Sequence, residues 1–370
     1  MQTRVAEMLG AEFPIFAFSH CRDVVAAVSR AGGIGVMGAV RLTPQQLKIE
    51  LDWIDQHVDG RPYGVDFLLP SDYEGDDVEA LEREIPAEHR AFIENLESQF
   101  GIPPRNNPGE PSELGGGDGL VSTHAHAREL IEVALEHPMA VAVSALGPFP
   151  ADLAERFERA GVRTAGMVGQ VKHVQKHVDA GTDIIIAVGT EAAGHTGDIT
   201  TTVLVPQVVD AAGDIPVIAA GGVGDGRQIA SALALGAEGV WTGSIWLTTA
   251  ESDLDPSVQE KLFAATSQDT VRSRCASGKP VRQLVTPWVS AWEDPGAPVS
   301  PLPMPLQGLL VRDPIVSAWE HGVDPVMGTP VGQIVGMLNR RTTVRDVMLE
   351  LVEEFADSTQ RLIALSGMDE

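Results

Sequence analysis

Residues 189–198 read GTEAAGHTGD, with one histidine set among mostly small neighbours. An imidazole titrates near neutrality, so His195 can take or give a proton at working pH. The run TDIIIAV just before it has the length and composition of a buried strand. A histidine placed there reads in two ways: a loose polar turn, or a base with room beside it for something bulky. Two other stretches carry glycines in a matching place. PVIAAGGVGDG passes through Gly221–Gly222 into a helix near Gly226, and GVWTGSIW passes through Gly243–Ser244. Bare glycines at strand ends let backbone N–H groups approach a phosphate, and a helix N-terminus adds a favourable dipole. Each pair alone is weak, because turns need glycine anyway. Two pairs in the same register point more firmly to an anion.

Other reactive residues carry less. His173 and His177 stand four apart on one helical stretch, but without the Glu of an HExxH motif they read as a solvated face rather than a metal pair. His124 and His126 support no metal role, and no metal is expected. His20 and Cys21 follow the first strand, and adjacent residues rarely point at each other, so a Cys–His nucleophile pair is not expected. Cys275 reads as structural. Asp66 ends the third strand and points toward the ligand face, or else caps a turn.

The elements that must position these groups alternate. Short apolar runs occur at 13–18, 33–38, 62–68, 141–147, 163–168, 183–188, 216–221 and 239–244. Amphipathic stretches lie between them at 22–31, 42–58, 150–161, 170–181 and 226–237, the second with Thr43 as N-cap and Pro44 at N1. Strand–helix alternation implies a parallel sheet, and eight units in this length match a (β/α)8 TIM barrel. A doubly wound open sheet is the runner-up. Its dinucleotide fingerprint occurs literally as Gly33-Ile-Gly35-Val-Met-Gly38, but after a helix and within a strand, where a phosphate loop cannot form. In a barrel the loops after strands 7 and 8 are the usual phosphate site, which is where the two glycine pairs fall. The expected division is a barrel from 1–70 and 136–270, an insertion or lid after strand 3 at 71–135, and a mainly helical C-terminal subdomain at 271–370.

Composition sets the outer bounds. The net charge of −26 argues against nucleic acid and anionic membranes as partners. Two cysteines do not make a disulfide framework, no window is long enough for a membrane span, and the first residues lack a signal peptide's apolar core; a reduced, cytoplasmic setting is expected. A homo-oligomer is left open.

The stretch from GTEAAGHTGD through PVIAAGGVGDGRQIASALALGAEGVWTGSIWLTTAES, with AAVSRAGGIGVMGA and VKHVQKHVDAGTD upstream, resembles the nitronate monooxygenase family, formerly called 2-nitropropane dioxygenases. The resemblance covers roughly residues 13–70 and 140–285 and implies an FMN-dependent flavoprotein, an oxidoreductase built on a TIM barrel. It gives His195 the place of the active-site histidine. Gly221, Gly222, Gly243 and Ser244 match the positions that hold the FMN phosphate, Ala193 and Gly194 those beside the flavin ring, and Ala17 and Phe18 the first-strand end whose backbone meets it. Asp66 stands where the family often has Asn, and an ionised Asp only accepts hydrogen bonds. The activity implied is oxidative denitrification of nitronates or nitroalkanes with O2. The alternatives are an NAD(P)H-dependent flavin reductase acting on a quinone or enoyl thioester, and a phosphate-binding barrel enzyme without flavin.

Overall fold

A computed structural model describes residues 1–69, 78–106 and 124–367; the parts of the expected insertion at 71–77 and 107–123 lie outside the described residues. Eight parallel strands close a barrel: β1 (Ile15–Ser19), β2 (Ile34–Gly38), β3 (Tyr63–Phe67), β4 (Val141–Ser144), β5 (Arg163–Val168), β6 (Ile184–Val188), β8 (Val217–Ala220) and β9 (Gly239–Thr242), with β9 pairing back onto β1. Each falls within one residue of an apolar run expected to be a strand. The short β7 (Gly194–His195) lies outside the barrel.

Period-2 alternation sorts the strand side chains. Phe16, Ile34, Val36, Val141, Val143, Ile184, Ile186, Ile218 and Trp241 fill the barrel, and Val5 and Leu9 of α1 (Arg4–Leu9) join the same cluster. The alternate residues pack outward against α2 (Arg22–Arg30), α3 (Pro44–His57) and the helices that follow. The fingerprint-like glycines serve this packing. A Cβ on Gly35 would lie 2.1 Å from the Val25 carbonyl oxygen, so its absence lets α2 sit directly on β2. Thr43 caps α3 in a complete capping box with Gln46.

Two connections depart from the expected division. The insertion contributes α4 (Val78–Glu84) and α5 (Ala87–Phe100), but α6 (His124–Ala134) packs on α3 and β3 as an outer helix of the barrel. After α7 (Ala151–Arg159), α8 (Val174–Asp179), α9 (Thr201–Ala212), α10 (Gly226–Ala234) and α11 (Pro256–Ala264), the C-terminal region adds α12 (Pro287–Glu293), α13 (Leu306–Glu320) and α14 (Val344–Ser366). Helices α4, α5, α12 and α13 share one apolar core in which Phe92 meets Trp292 edge-on at 4.9 Å. The insertion and the C-terminal subdomain are therefore one helical cap made of two sequence-remote pieces. By contrast α14 returns to the barrel wall between α10 and α2, where Glu354 accepts a hydrogen bond from the Gly226 N–H at 2.9 Å.

Helix α9 was absent from the sequence expectation, since its run TTVLVPQVVDAA is apolar all round and interrupted by Pro206. The expected solvated pair on the 170–181 stretch is also corrected. His173 is exposed, but His177 is 1% exposed because it falls on the inward stripe with Val174. Its ring lies where a Gly166 side chain would be, its Nδ1 is 3.2 Å from Thr182 Oγ1, and burial lowers its pKa to about 4. No described helix is long and apolar enough to cross a membrane.

Candidate active site

The chain leaves β6 at Val188 and forms a closed loop. Thr190 N donates to the Ile199 oxygen at 2.8 Å, and the Glu191 carboxylate accepts from Thr201 N and Oγ1, both at 2.9 Å. Gly194, at φ +74°, turns the chain so that Gly194 and His195 run as an edge strand. Their partner is the hairpin of β10 (Thr270–Ser273) and β11 (Val281–Leu284), with Val281 opposite His195 and Arg282 opposite Gly194. Two arginines of the hairpin hold the loop on either side. Arg282, 7% exposed, donates from Nε to the Thr190 oxygen at 2.8 Å and from Nη1 to Thr270 Oγ1 at 3.0 Å. Arg272 donates from Nη2 to the Thr196 oxygen at 3.0 Å and pairs with Asp198.

His195 is exposed by accessible surface, yet enough protein lies around it to disfavour its charged form. Its Nε2 lies 2.8 Å from Ser277 Oγ at the tip of the hairpin. Burial first, and the Lys279 cation second, hold its pKa down to about 4, so the imidazole is neutral at pH 7. A neutral imidazole has one donor and one acceptor nitrogen; with Nε2 engaged by Ser277, Nδ1 remains for a ligand.

The expected glycine loops meet this one. A Cβ on Gly221 would stand 3.0 Å from Ala192 N, and Gly221 and Gly222 both have positive φ, +100° and +73°. Gly332, from a later segment, touches both sides of the junction. A Cβ there would lie 3.3 Å from Ala193 N and 3.4 Å from Ser244 Oγ, and its own N–H donates to that hydroxyl at 2.9 Å. Ser244 therefore has its hydroxyl engaged. Gly243 is different: nothing lies within 4 Å of a Cβ built on it. Ala17 pairs with Thr242, one residue before Gly243, and with Gly35, and its side chain is fully buried on the outer face. Phe18 turns inward and stacks on Trp241 at 5.9 Å. Asp66 also faces inward, on the far side of Gly38 from Phe18, and its Oδ1 is buried with no hydrogen-bond partner. Its side chain caps no turn; its backbone lies in the β2–β3–β4 ladder, where its oxygen accepts from the Ala39 N–H at 3.0 Å.

One open cavity, about 310 Å³, adjoins this region, but of the expected residues only Gly221 and Gly222 line it, with Glu191, Gln228, Gln333 and Met337. It lies behind the glycine loop rather than at His195. His20 and Cys21 diverge as expected: His20 Nδ1 meets the Gly38 oxygen at 3.0 Å, while the buried Cys21 thiol donates to the Glu251 oxygen at 3.2 Å. Cys275 is buried in the cap core, where Gln283 Nε2 donates to its sulfur at 3.2 Å.

Sequence reasoning missed Ser277, Lys279 and the two arginines. A signal was present. The segment TVRSRCASGKPVRQL, residues 270–284, has four cationic residues and no carboxylate in a chain of net charge −26.

With this geometry in hand, comparison with known proteins is specific. The chain is 49% identical over 381 residues, 99% of each chain, to a Mycobacterium tuberculosis protein provisionally named a monooxygenase. It is 30% identical to a protein of Staphylococcus saprophyticus named probable nitronate monooxygenase, over 77% of this chain and 79% of that one. FabK from Thermotoga maritima superposes with a TM-score of 0.75 at 27% identity, covering 99% of both chains. A nitroalkane oxidase of Streptomyces ansochromogenes shares the fold, with a TM-score of 0.79 at 23% identity over 97% of this chain and 99% of that one. The nitronate monooxygenase family model matches residues 3–354: the chain belongs to the nitronate monooxygenase family and is an oxidoreductase.

Proposed function

We propose that this oxidoreductase holds FMN at the barrel mouth and carries out oxidative denitrification of nitronates or nitroalkanes with O2. The observation that carries the reading is His195: a neutral imidazole on a loop locked at both ends, its Nε2 fixed by Ser277 and the residue still exposed. The residues present fit FMN. Gly243 leaves a space that a side chain would fill, Ala193 and Gly194 keep the loop beside His195 thin, and the unpartnered Asp66 oxygen awaits a polar group. Phe18 and Trp241 supply an apolar wall. FMN held there would supply the redox chemistry that couples substrate oxidation to O2.

His195 takes the α-proton of a nitroalkane, which a neutral imidazole can do and an imidazolium cannot. Ser277 holds the ring plane while the proton moves. Lys279, two residues from Ser277 and exposed, faces the same space with a positive charge that offsets the nitronate anion. Lys279→Ala is therefore expected to raise KM for a nitronate roughly three- to tenfold, the scale of about 1 kcal/mol, with kcat within twofold. Steady-state kinetics at low and high salt check this: the wild-type advantage shrinks with salt, and an unchanged KM removes Lys279 from binding.

A second reading, reduction by NAD(P)H of a quinone or enoyl thioester, has its own support. A Rhodococcus jostii protein named as a dehydrogenase of a CoA thioester is 42% identical over 166 residues, 45% of this chain. Anaerobic mixing separates the two. Flavin bleached rapidly by propyl-2-nitronate and untouched by NADH and NADPH supports denitrification; rapid bleaching by a nicotinamide alone overturns it in favour of the reductase. A purified protein that is colourless and takes up no FMN overturns both.

A further inference from the structure

Asp66 occupies the last inward-facing position of β3, since Tyr63, Val65 and Phe67 point outward into the packing between barrel and helices. Its neighbours in register are Gly38 on β2 and Val143 on β4, neither of which offers a polar side chain. The space over Gly38 is bounded by the Phe18 and His20 rings. The side chain is half-buried; its Oδ1 is shielded from water and makes no hydrogen bond, and among the described residues no cation pairs with this carboxyl. Among the described residues, the titratable groups that follow the neighbouring strands are His20, after β1, and Arg41, after β2. His20 is kept neutral by burial, its pKa lowered to about 3, and Arg41 acts on His20 and Asp253 rather than on Asp66.

Shielding one carboxylate oxygen from water with no partner disfavours the ionised form, whereas the carboxylic acid is disfavoured far less and gains a donor. Resting on the FMN reading above, we infer that Asp66 serves the cofactor as a neutral carboxylic acid, its O–H donating a hydrogen bond to an acceptor atom of the isoalloxazine ring. In this state it does what an Asn amide would do at the same place, and it sets no negative charge beside a ring that takes up electrons. Burial alone raises the Asp66 pKa to about 8, in keeping with that state at neutral pH. The folded protein then holds this proton more tightly than the unfolded chain. Its contribution to stability falls as pH rises from about 4 toward 8, and Asp66→Asn removes that slope.

Two measurements on the full chain test the inference. Isotope-edited infrared spectroscopy of protein labelled at aspartate carboxyls is expected to show a protonated-acid band at pH 7 that fades above pH 8 and is missing from D66N. FMN titrations between pH 7 and 9 are expected to show the wild-type Kd rising about tenfold, one pH unit beyond the carboxyl's pKa, while D66N changes by less than about twofold. A wild-type spectrum without the band at pH 7, or identical pH dependence of FMN binding in wild type and D66N, overturns the inference. Failure of the wild type to bind FMN at any pH overturns the flavin reading itself; FMN bound with a flat wild-type profile overturns only the role of Asp66.

Discussion

Replacing His195 with Asn is expected to cut turnover of a neutral nitroalkane by about 10²- to 10⁴-fold, the usual worth of a positioned general base. Turnover of the corresponding nitronate should fall far less, because that substrate has already lost its proton. The split between the two substrates is the diagnostic, since a loop that merely loosened would lose both alike. Asn is shorter than the imidazole and gives up the Nε2 bond to Ser277, but the loop keeps its anchors to Arg272 and Arg282, which do not involve this side chain. The pH profile adds an independent sign. Burial and Lys279 hold the His195 pKa down to about 4, so the base form persists as pH falls and is lost only as pH passes through that value. The acid limb for nitroalkane turnover is thus expected near pH 4 rather than near the ordinary histidine value of about 6.5. Equal losses with nitroalkane and nitronate would remove His195 as the base.

Gly243→Leu is the second large effect. At most glycines of the site the backbone or a close neighbour demands the residue: Gly221 and Gly222 have positive φ, and a Cβ on Gly221 would press on Ala192. Gly243 has φ −141°, and nothing in the protein lies within 4 Å of where its side chain would begin. Packing therefore does not require glycine there, although φ −141° with ψ −62° lies outside the main α and β regions and costs a larger residue some strain. G243L should fold with a melting temperature within a few degrees of wild type, since an uncrowded substitution costs about 1 kcal/mol or less. On the FMN reading it should retain less than about a tenth of the wild-type FMN per chain, because the added side chain enters the space proposed for the phosphate. Flavin absorbance per polypeptide and a thermal melt on the same sample decide it. Full flavin content in G243L would move the phosphate elsewhere; a lost fold would show that the glycine is structural after all.

These two variants also mark how differently parts of the site could be read. The eight strands and the capping box of α3 were legible because hydrophobic period and turn chemistry act over a few residues. The paired helix histidines were misread because they do not share one helix: His173 ends a 3-10 turn and is the N-cap of α8, while His177 lies within α8 and turns inward with Val174. Helix α9 was missed because an apolar run with an internal proline carries no amphipathic signature. The barrel's own α6 and α14 were assigned to appendages because they come after long excursions, and membership in a layer is decided by what an apolar face packs on.

His195 shows the division most clearly. Its place past a buried strand, and the small residues around it, are properties of ten consecutive residues, and the chain by itself determines them. Its working state is not local. Ser277 is 82 residues away in sequence and Arg282 anchors the loop across 92, so the ring's orientation depends on a hairpin that only the packed molecule brings alongside. The same holds for Asp66. The sequence determines that a carboxyl stands where an amide is more usual, but its proton depends on how many atoms exclude water from it. That number exists only once β2, β3 and β4 are side by side.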